Sequence, residues 1–280
     1  MAKNFSSLIV IPLENGVSLK ISDFPYPRNL EISELQKGLV LSVNGSDLIE
    51  EGAGLGSPVI KYRDKTYFSK TAKVKVEKES DKINKVTKEF LMDSISLKQF
   101  QGKRWIQDSI YHPVHRLFTL FYLKLKPLRP AFNLLIYARR KMGIETRFVR
   151  TKPRGVVEVV YEIRKCMIEI NVDFSRLNKE NLEEVVILNE QGATQFPLYS
   201  DSDGLYLLKE KIGAWDIVEA DSAKLISEQG LSYSQEKLDG ACLIRGWEKI
   251  EKRHSWSGLN YIIKPSRNNF RYKINISKNI

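Results

Sequence analysis

Three residues combine the chemistry and the positions that acid–base catalysis needs. Glu190 stands in Asn-Glu-Gln-Gly and Asp216 in Gly-Ala-Trp-Asp, each beside a predicted strand, while His254 follows a charged segment. Two carboxyl groups across a cleft can act as acid and base, and in glycosidases their separation decides the stereochemical outcome. We therefore predict Glu190, Asp216 and His254 as candidate catalytic residues. Acidic residues are also common in turns, so a solvated turn position remains the alternative for both carboxyl groups.

The segment around His254 has the composition of a sugar-binding groove. Trp247 and Trp256 alternate with charged residues, including Arg245 and Arg253. Sugars are gripped by aromatic rings against their C–H faces and by charged side chains that bridge their hydroxyl groups. We predict these four residues as ligand-binding and expect one tryptophan to be partly exposed in a concavity that also holds His254 or a carboxylate. The same composition fits a polar sheet face above two core tryptophans.

Other kinds of site are disfavoured by spacing. His112 and His115 have no third ligand nearby in sequence, so zinc is not predicted. Cys166 and Cys242 lack C-x-x-C spacing and are predicted as buried thiols. The glycines of 52–56 are followed by strands and not by a helix, so they do not resemble a dinucleotide loop. We expect them to let the backbone pass close to a neighbouring element or ligand, and we predict no metal or cofactor.

The positive charge of the chain is concentrated in its centre. The formal net charge is +11, and the surplus of Lys and Arg over Asp and Glu within 101–154 accounts for all of it. We predict an exposed anion-binding surface that includes Arg139, Arg140, Lys141, Arg147 and Arg150. Such a surface would bind nucleic acid through phosphates and base stacking, an anionic membrane or an acidic protein. The alternative is a solvated face whose cations complement the end of a helix.

A helical period occurs in the same central segment. Val114, Leu117, Phe118 and Phe121 recur at helical spacing, and prolines then separate them from a second helical stretch. This pattern predicts a basic helical hairpin over 105–145. No apolar run approaches the roughly 20 residues that a membrane-spanning helix requires, and no signal peptide is recognisable. A cytoplasmic location is therefore expected.

The rest of the chain alternates apolar and polar residues between turn signals. Asn15-Gly16 and Asn44-Gly45 each stand between alternating stretches, which is typical of type I′ hairpin turns. Short strands separated by Gly, Asp, Ser and Asn then recur to the end of the chain. The predicted fold class is mainly β: a large antiparallel two-sheet sandwich, formed by 1–280 as a single domain, with a central α-helical hairpin insertion.

Four short stretches carry a resemblance to a known family. They are Glu-Gly-Ala-Gly-Leu-Gly-Ser-Pro-Val-Ile-Lys-Tyr at 51–62, Thr-Tyr-Phe-Ser at 66–69, Leu-Asn-Glu-Gln-Gly at 188–192 and Trp-Ser-Gly-Leu-Asn at 256–260. Together they resemble segments of an archaeal protein family of uncharacterised activity. The long series of antiparallel strands also resembles the galactose-mutarotase-type supersandwich, whose members bind or process sugars. This second resemblance concerns architecture and transfers no catalytic residue.

These observations favour a carbohydrate-binding or carbohydrate-processing β-sandwich protein of undefined specificity. The alternative hypothesis is a non-enzymatic binder of nucleic acid or anionic membrane through 101–154. A third is a structural or interaction protein without a small-molecule site. The partners implied are a glycan or polar small molecule under the first hypothesis and an anionic polymer or surface under the second. Whether a reaction is catalysed stays open, as does the oligomeric state.

Overall fold

The computed structural model describes residues 8–23, 34–50, 52–63, 65–79, 82–100, 144–207, 214–250 and 254–278. The predicted helical hairpin of 105–145 lies outside these residues, except that Ile144 and Glu145 begin a strand. Arg139, Arg140, Lys141 and Arg253 also lie outside them. The described residues contain no α-helix, and hence no helix that is long and apolar enough to cross a membrane.

The mainly-β prediction is confirmed, and the strands form two antiparallel sheets. The smaller sheet has four strands in chain order: β1 (Leu8–Pro12), β2 (Val17–Ser22), β3 (Val40–Val43) and β4 (Ser46–Asp47). Both predicted Asn-Gly turns occur here. Asn15, Gly16, Asn44 and Gly45 have φ angles of 58°, 71°, 49° and 84°, and two successive positive angles are what a type I′ turn requires.

The larger sheet contains the other fifteen strands. They are β5 (Gly54–Tyr62), β6 (Thr66–Glu79), β7 (Lys82–Phe100), β8 (Ile144–Arg150), β9 (Val156–Arg164), β10 (Met167–Asp173), β11 (Leu182–Gln191), β12 (Leu198–Asp201), β13 (Gly204–Leu207), β14 (Ala214–Ile217), β15 (Ser222–Ile226), β16 (Leu231–Glu236), β17 (Ala241–Ile250), β18 (His254–Ile263) and β19 (Asn269–Lys278). Their spatial order is β13-β12-β15-β16-β19-β10-β9-β7-β6-β5-β11-β18-β17-β14, and β8 pairs with β7 beside β9.

The large sheet folds back on itself, so its two halves face each other. Hydroxyl groups on β9, β16 and β19 donate to groups on β5 and β11, although these strands are not neighbours in the sheet. Strand β9 shows why: Val157, Val159 and Tyr161 are fully buried, while the residues between them are half-buried. That period of two puts one face of the strand in the core.

A single main core joins both sheets. Leu19 and Leu41 of the small sheet belong to the same buried cluster as Ile187 and Tyr261 of the large one. Lys88 of β7 also connects the sheets, because its Nζ donates to the backbone oxygens of Ser22 at 2.6 Å and Lys37 at 2.7 Å. The small sheet therefore covers part of the large sheet and is fixed there by polar as well as apolar contacts.

Candidate functional site

The segments around Gly56, Asn189 and Asn260 meet at one place in the fold. Strand β11 pairs with β5 on one side and with β18 on the other. Gly56, at φ 80°, lies so close to β9 that a Cβ atom there would be 2.8 Å from the Tyr161 ring. Gly56 therefore serves close backbone approach, as expected, and it lies with Gly54 in strand β5 and not at a strand–helix junction.

Asn189 is the centre of this meeting point. Its Oδ1 accepts hydrogen bonds from the Gly56 N–H at 2.9 Å and from the Tyr272 hydroxyl at 2.8 Å. Its backbone N–H donates to Asn260 Oδ1 at 2.7 Å, and its carbonyl accepts from the Tyr233 hydroxyl at 3.1 Å. We call Asn189, Asn260, Tyr233 and Tyr272 the Asn189 hub. It joins β5, β11, β16, β18 and β19 through buried polar groups, which are costly to leave unpaired.

Glu190, the first predicted catalytic residue, lies beside the hub in a dry environment. Its Oε1 accepts from Asn260 Nδ2 and its Oε2 from the Ala53 N–H, both at 3.2 Å. Burial raises the pKa of this carboxyl group to about 7, against the lowering effects of both hydrogen bonds and of Lys37. A carboxyl group that titrates near neutrality can exchange protons at physiological pH, and it also marks strong desolvation.

A glycine makes room for the Glu190 side chain. Gly258 stands directly opposite Glu190 on β18, and a Cβ atom at 258 would be 2.6 Å from Glu190 Cγ. The glutamate therefore occupies the space that a side chain at 258 would need. Gly52 also lies close by, since a Cβ atom there would be 2.9 Å from the Glu190 backbone carbonyl, and its own carbonyl accepts from Lys37 Nζ at 2.5 Å. The carboxyl group is thus enclosed by backbone and held in one position.

Lys88 is the basic counterpart of Glu190 in the interior. It is fully buried on β7 between Val86 and Phe90, and its Nζ lies 5.0 Å from the Phe90 ring. Burial lowers the pKa of its amine to about 7, although Asp23 acts in the opposite direction. Because its two acceptors are backbone oxygens, this amine joins β7 to the small sheet and is enclosed away from any ligand.

The two tryptophans are buried, contrary to the expectation that one would be partly exposed. Trp247 has 4% and Trp256 has 9% of its surface exposed. They lie on opposite faces of the β17–β18 pair, because Trp256 is opposite Glu248 and Trp247 is opposite Ser257. Trp256 Nε1 donates to Glu248 Oε2 at 3.1 Å. The faces of both rings are therefore packed inside the protein. The composition of the segment could not show whether these rings would be buried or would line a groove.

The predicted pair of Glu190 and Asp216 does not share a face. Glu190 is opposite Gly258, which is opposite Gly246 on β17. Asp216 is instead opposite Arg245, the residue next to Gly246. Directly opposed residues share a face and successive residues alternate, so Asp216 and Arg245 point away from the Glu190 side of the sheet. These two carboxyl groups therefore cannot act on one bound molecule.

Asp216 and Arg245 belong to a second group of side chains at the rim of the sandwich. The Arg245 guanidinium is paired with the Asp216 carboxylate at 3.3 Å and lies 4.4 Å from the centre of the Tyr199 ring. Tyr199 is on β12, so this contact joins the penultimate strands at the two ends of the large sheet. The Tyr199 hydroxyl donates to Asp201 Oδ2 at 2.7 Å, and burial raises the pKa of that tyrosine.

An exposed tyrosine completes this group. Tyr206 on edge strand β13 stands opposite Tyr199, with ring centres 6.2 Å apart, and is 43% exposed. Its ring extends along the strand over Gly204, where a Cβ atom would lie 3.7 Å from the tyrosine hydroxyl. We call Tyr199, Asp201, Tyr206, Asp216 and Arg245 the Arg245 cluster. It combines an accessible ring with carboxylates and a guanidinium that are fixed in place.

The remaining predicted site residues are placed as follows. His254 is the first residue of β18, opposite Ile250, but its side chain is outside the described part of the structure. Arg147 and Arg150 on β8 are exposed.

Cys166 and Cys242 are free thiols, but Cys166 is exposed in the turn between β9 and β10 and Cys242 is half-buried, so the prediction of burial was wrong. No group of three or more His, Cys, Asp or Glu residues within the described ranges is arranged to hold a metal ion.

Sequence reasoning missed Tyr199, Asp201 and Tyr206. They stand in Leu-Tyr-Ser-Asp-Ser-Asp-Gly-Leu-Tyr-Leu at 198–207, a short hairpin whose turn is rich in Asp, Ser and Gly. Two tyrosines that flank an acidic turn are a usable signal for a ligand surface. The contact of Tyr199 with Arg245 has no local signal, because these residues are far apart in the chain.

Comparison with known proteins gives matches in structure but not in sequence. No protein-family model matches the chain, and no curated protein matches it. The α-N-acetylgalactosaminidase NagBb from Bifidobacterium bifidum, in complex with GalNAc, superposes with a TM-score of 0.52 at 7% identity, over 96% of this chain and 36% of that chain. The Slr1438 protein from Synechocystis sp. PCC 6803 gives 0.43 at 8% identity over 99% and 97% of the two chains.

The similarity to NagBb concerns the fold. This chain spans about a third of the length of that enzyme, since the match covers 36% of it. The chain therefore has a β-sandwich fold that also occurs in part of a carbohydrate-active enzyme. This agrees, at the level of architecture, with the resemblance to carbohydrate-processing sandwich proteins.

Proposed function

We propose that the protein binds a carbohydrate, or a related ligand rich in hydroxyl groups, at the Arg245 cluster. One observation carries the proposal. The Arg245 guanidinium is fixed between the Tyr199 ring and the Asp216 carboxylate, and the exposed ring of Tyr206 lies next to Tyr199. The β-sandwich fold, shared with part of a carbohydrate-active enzyme, is consistent with such a ligand.

The chemistry of the cluster suits a sugar. The Tyr206 ring offers an apolar face to the C–H groups of a pyranose, while carboxylates accept hydrogen bonds from its hydroxyl groups. Arg245 presents donors in a planar fork. Because the ion pair with Asp216 and the contact with Tyr199 already order the guanidinium, little conformational entropy is lost when a ligand binds.

The proposal is binding and assigns no reaction to this cluster. Glu190 has the proton affinity of an acid–base catalyst, but its carboxyl group is enclosed and faces away from Arg245. Incubation with nitrophenyl glycosides tests this directly, and we expect no release of nitrophenol above the buffer rate. Release that is lost in Glu190→Gln would instead assign a hydrolytic role to Glu190.

Ligand-observed NMR with glucose, galactose, mannose and N-acetylgalactosamine tests the binding. Tyr206→Ala should weaken binding of any positive sugar about tenfold, the typical value of one aromatic contact. Leu205→Ala is the matched control, since Leu205 is 61% exposed and adjacent but lies on the opposite face of β13. Equal weakening by both variants would indicate damage to the strand, and absence of binding by the wild-type protein would overturn the proposal.

A second candidate function is supported by the exposed cations of β8. Arg147 and Arg150 are exposed, as is Lys152 just beyond the strand. We propose anion binding through these residues as the alternative. Each phosphate contact that is lost should reduce the slope of log affinity against log salt by about 0.7 to 0.9. Arg147→Gln with Arg150→Gln should therefore weaken binding to single-stranded DNA, and a wild-type protein that does not bind at roughly 50 mM salt would contradict this function.

A further inference from the structure

The Arg245 cluster has a local charge opposite to that of the whole chain. The formal net charge of the protein is +11. At the cluster, however, Asp201 and Asp216 accompany Arg245, and Asp203 stands in the same turn as Asp201. Among the described residues of this region, three carboxylates stand beside one guanidinium, so these side chains together are acidic on a basic protein. A ligand at this site meets a local potential that the overall charge does not predict.

The positive charge of Arg245 is already matched within the cluster. Its guanidinium pairs with Asp216 and rests on the ring of Tyr199. Asp201 and Asp203, by contrast, occur in none of the ion pairs formed between described residues. The negative surplus therefore belongs to the turn between β12 and β13.

Neutral groups orient these two carboxylates without cancelling their charge. Asp201 Oδ2 accepts from the Tyr199 hydroxyl at 2.7 Å, and its Oδ1 accepts from the Asp203 N–H at 2.9 Å. Asp203 Oδ1 accepts from Ser202 Oγ at 3.3 Å. Asp201 is opposite Gly204 on the adjacent strand, and the Tyr206 ring extends over that glycine. A carboxylate and an aromatic face are therefore presented together.

We propose that the Arg245 cluster prefers an amino sugar with a free, protonated amine over the N-acetylated or acidic form of the same sugar. This inference rests on the proposed function. An ammonium group donates three hydrogen bonds, for which Asp201 and Asp203 supply acceptors. It is also attracted to the face of an adjacent tyrosine ring. Acetylation removes the charge, and a sugar carboxylate would be repelled by the turn.

Titration by ligand-observed NMR with three related sugars tests the preference. At pH 6 and low salt, glucosamine should bind about fivefold more tightly than N-acetylglucosamine, as expected for partly exposed ion pairs, and glucuronic acid most weakly. The preference should shrink at 0.5 M salt, because screening weakens charge interactions at the surface.

A charge-removing variant locates the effect. Asp201→Asn with Asp203→Asn removes both charges while keeping one acceptor oxygen in each side chain, and the variant should bind the two hexosamines equally. Glu180→Gln is the matched control, because it removes an exposed carboxylate in the loop before β11 and should preserve the preference. Thermal unfolding of each variant confirms that it is folded.

The outcomes separate this inference from the proposed function. If N-acetylglucosamine binds as tightly as glucosamine, the amino-sugar preference is wrong while carbohydrate binding stands. If the double variant keeps the preference, its assignment to Asp201 and Asp203 is wrong. If none of these sugars and none of the neutral hexoses bind, the proposed function fails as well.

Discussion

The Asn189 hub and the Arg245 cluster use similar side chains to opposite effect. Both join strands that are distant in sequence, and both combine tyrosines with a carboxyl or amide group. In the hub, the hydrogen bonds run to backbone atoms and buried partners. In the cluster, Tyr206, Asp216 and Arg245 keep part of their surface exposed. The hub therefore stabilises the fold, whereas the cluster has exposed groups that a ligand can contact.

The difference shows that strong polarity inside a protein is not by itself a sign of function. Glu190 has a pKa raised to about 7 because burial penalises its charged form. Such a shift is often taken to mark a catalytic residue, but ion-pair and hydrogen-bond networks that support structure produce it too. What separates the two regions is access for a ligand, and variants can measure that separation.

The largest effect is expected from removing the amide at the centre of the hub. Asn189→Ala leaves the Gly56 N–H and the Tyr272 hydroxyl buried without the acceptor they share. Each unpaired buried group costs about 1 to 3 kcal/mol, so the free energy of unfolding should fall by about 4 kcal/mol. Urea denaturation measures this loss. A loss below about 1 kcal/mol would show that the hub does not hold the strands together.

The next effect is a change in how stability depends on pH. Between its ordinary pKa of 4.5 and the raised value of about 7, the Glu190 carboxyl group is protonated in the folded chain and ionised in the unfolded one. The free energy of unfolding is therefore highest, as far as Glu190 determines it, below pH 4.5. It falls by about 3 kcal/mol as the pH rises from 4.5 to about 7.

Glu190→Gln removes this titration. The variant should lack that part of the decline in unfolding free energy between pH 4.5 and 7, whatever its absolute stability. Chemical denaturation at several pH values across this window gives both profiles. Parallel profiles for the wild type and the variant would mean that Glu190 does not titrate as its enclosure implies.

A smaller loss of stability is expected when glycines are replaced, and two of them distinguish steric crowding from an unfavourable backbone conformation. Gly56 and Gly45 have nearly equal positive φ angles of 80° and 84°, but only Gly56 is crowded, by Tyr161. Gly45→Ala should cost about 1 kcal/mol for the left-handed conformation. Gly56→Ala should cost about 2 kcal/mol more, as overpacking of a core does. Thermal denaturation compares them, and equal costs would argue against close packing of Gly56 against Tyr161.

The smallest effect on stability is expected in the Arg245 cluster. Tyr206→Ala truncates a ring at the surface of edge strand β13 and should change the free energy of unfolding by less than about 0.5 kcal/mol. Its loss of ligand binding would then be a property of the site alone. A stability loss comparable to that of Asn189→Ala would place Tyr206 with the structural residues instead.

Sequence reasoning succeeded where the signal was local. The turns at Asn15-Gly16 and Asn44-Gly45 depend on two adjacent residues. The alternation of apolar and polar residues in β9 likewise predicts which of its side chains are buried. The strands predicted from these local patterns therefore agree with strands of the structure. The helical hairpin of 105–145 falls almost wholly outside the described residues and stays a prediction.

The site was harder to predict because it depends on register. Glu190, Asp216 and Arg245 were all selected from sequence, yet only the pairing of four strands shows that Glu190 faces away from the other two. A shift of one residue reverses every side chain in a strand. Likewise, the contact between Arg245 and Tyr199 arises from folding the sheet onto itself, which no local pattern encodes.

The position of β19 has a consequence for how the chain is made. This strand lies between β10 and β16, so it completes the pairing of both. A ribosome delivers β10 about a hundred residues before β19, at a typical rate of about 5 to 20 residues per second. During that interval β10 presents an open hydrogen-bonding edge. The nascent chain therefore presents this edge to wrong partners for seconds before β19 is made.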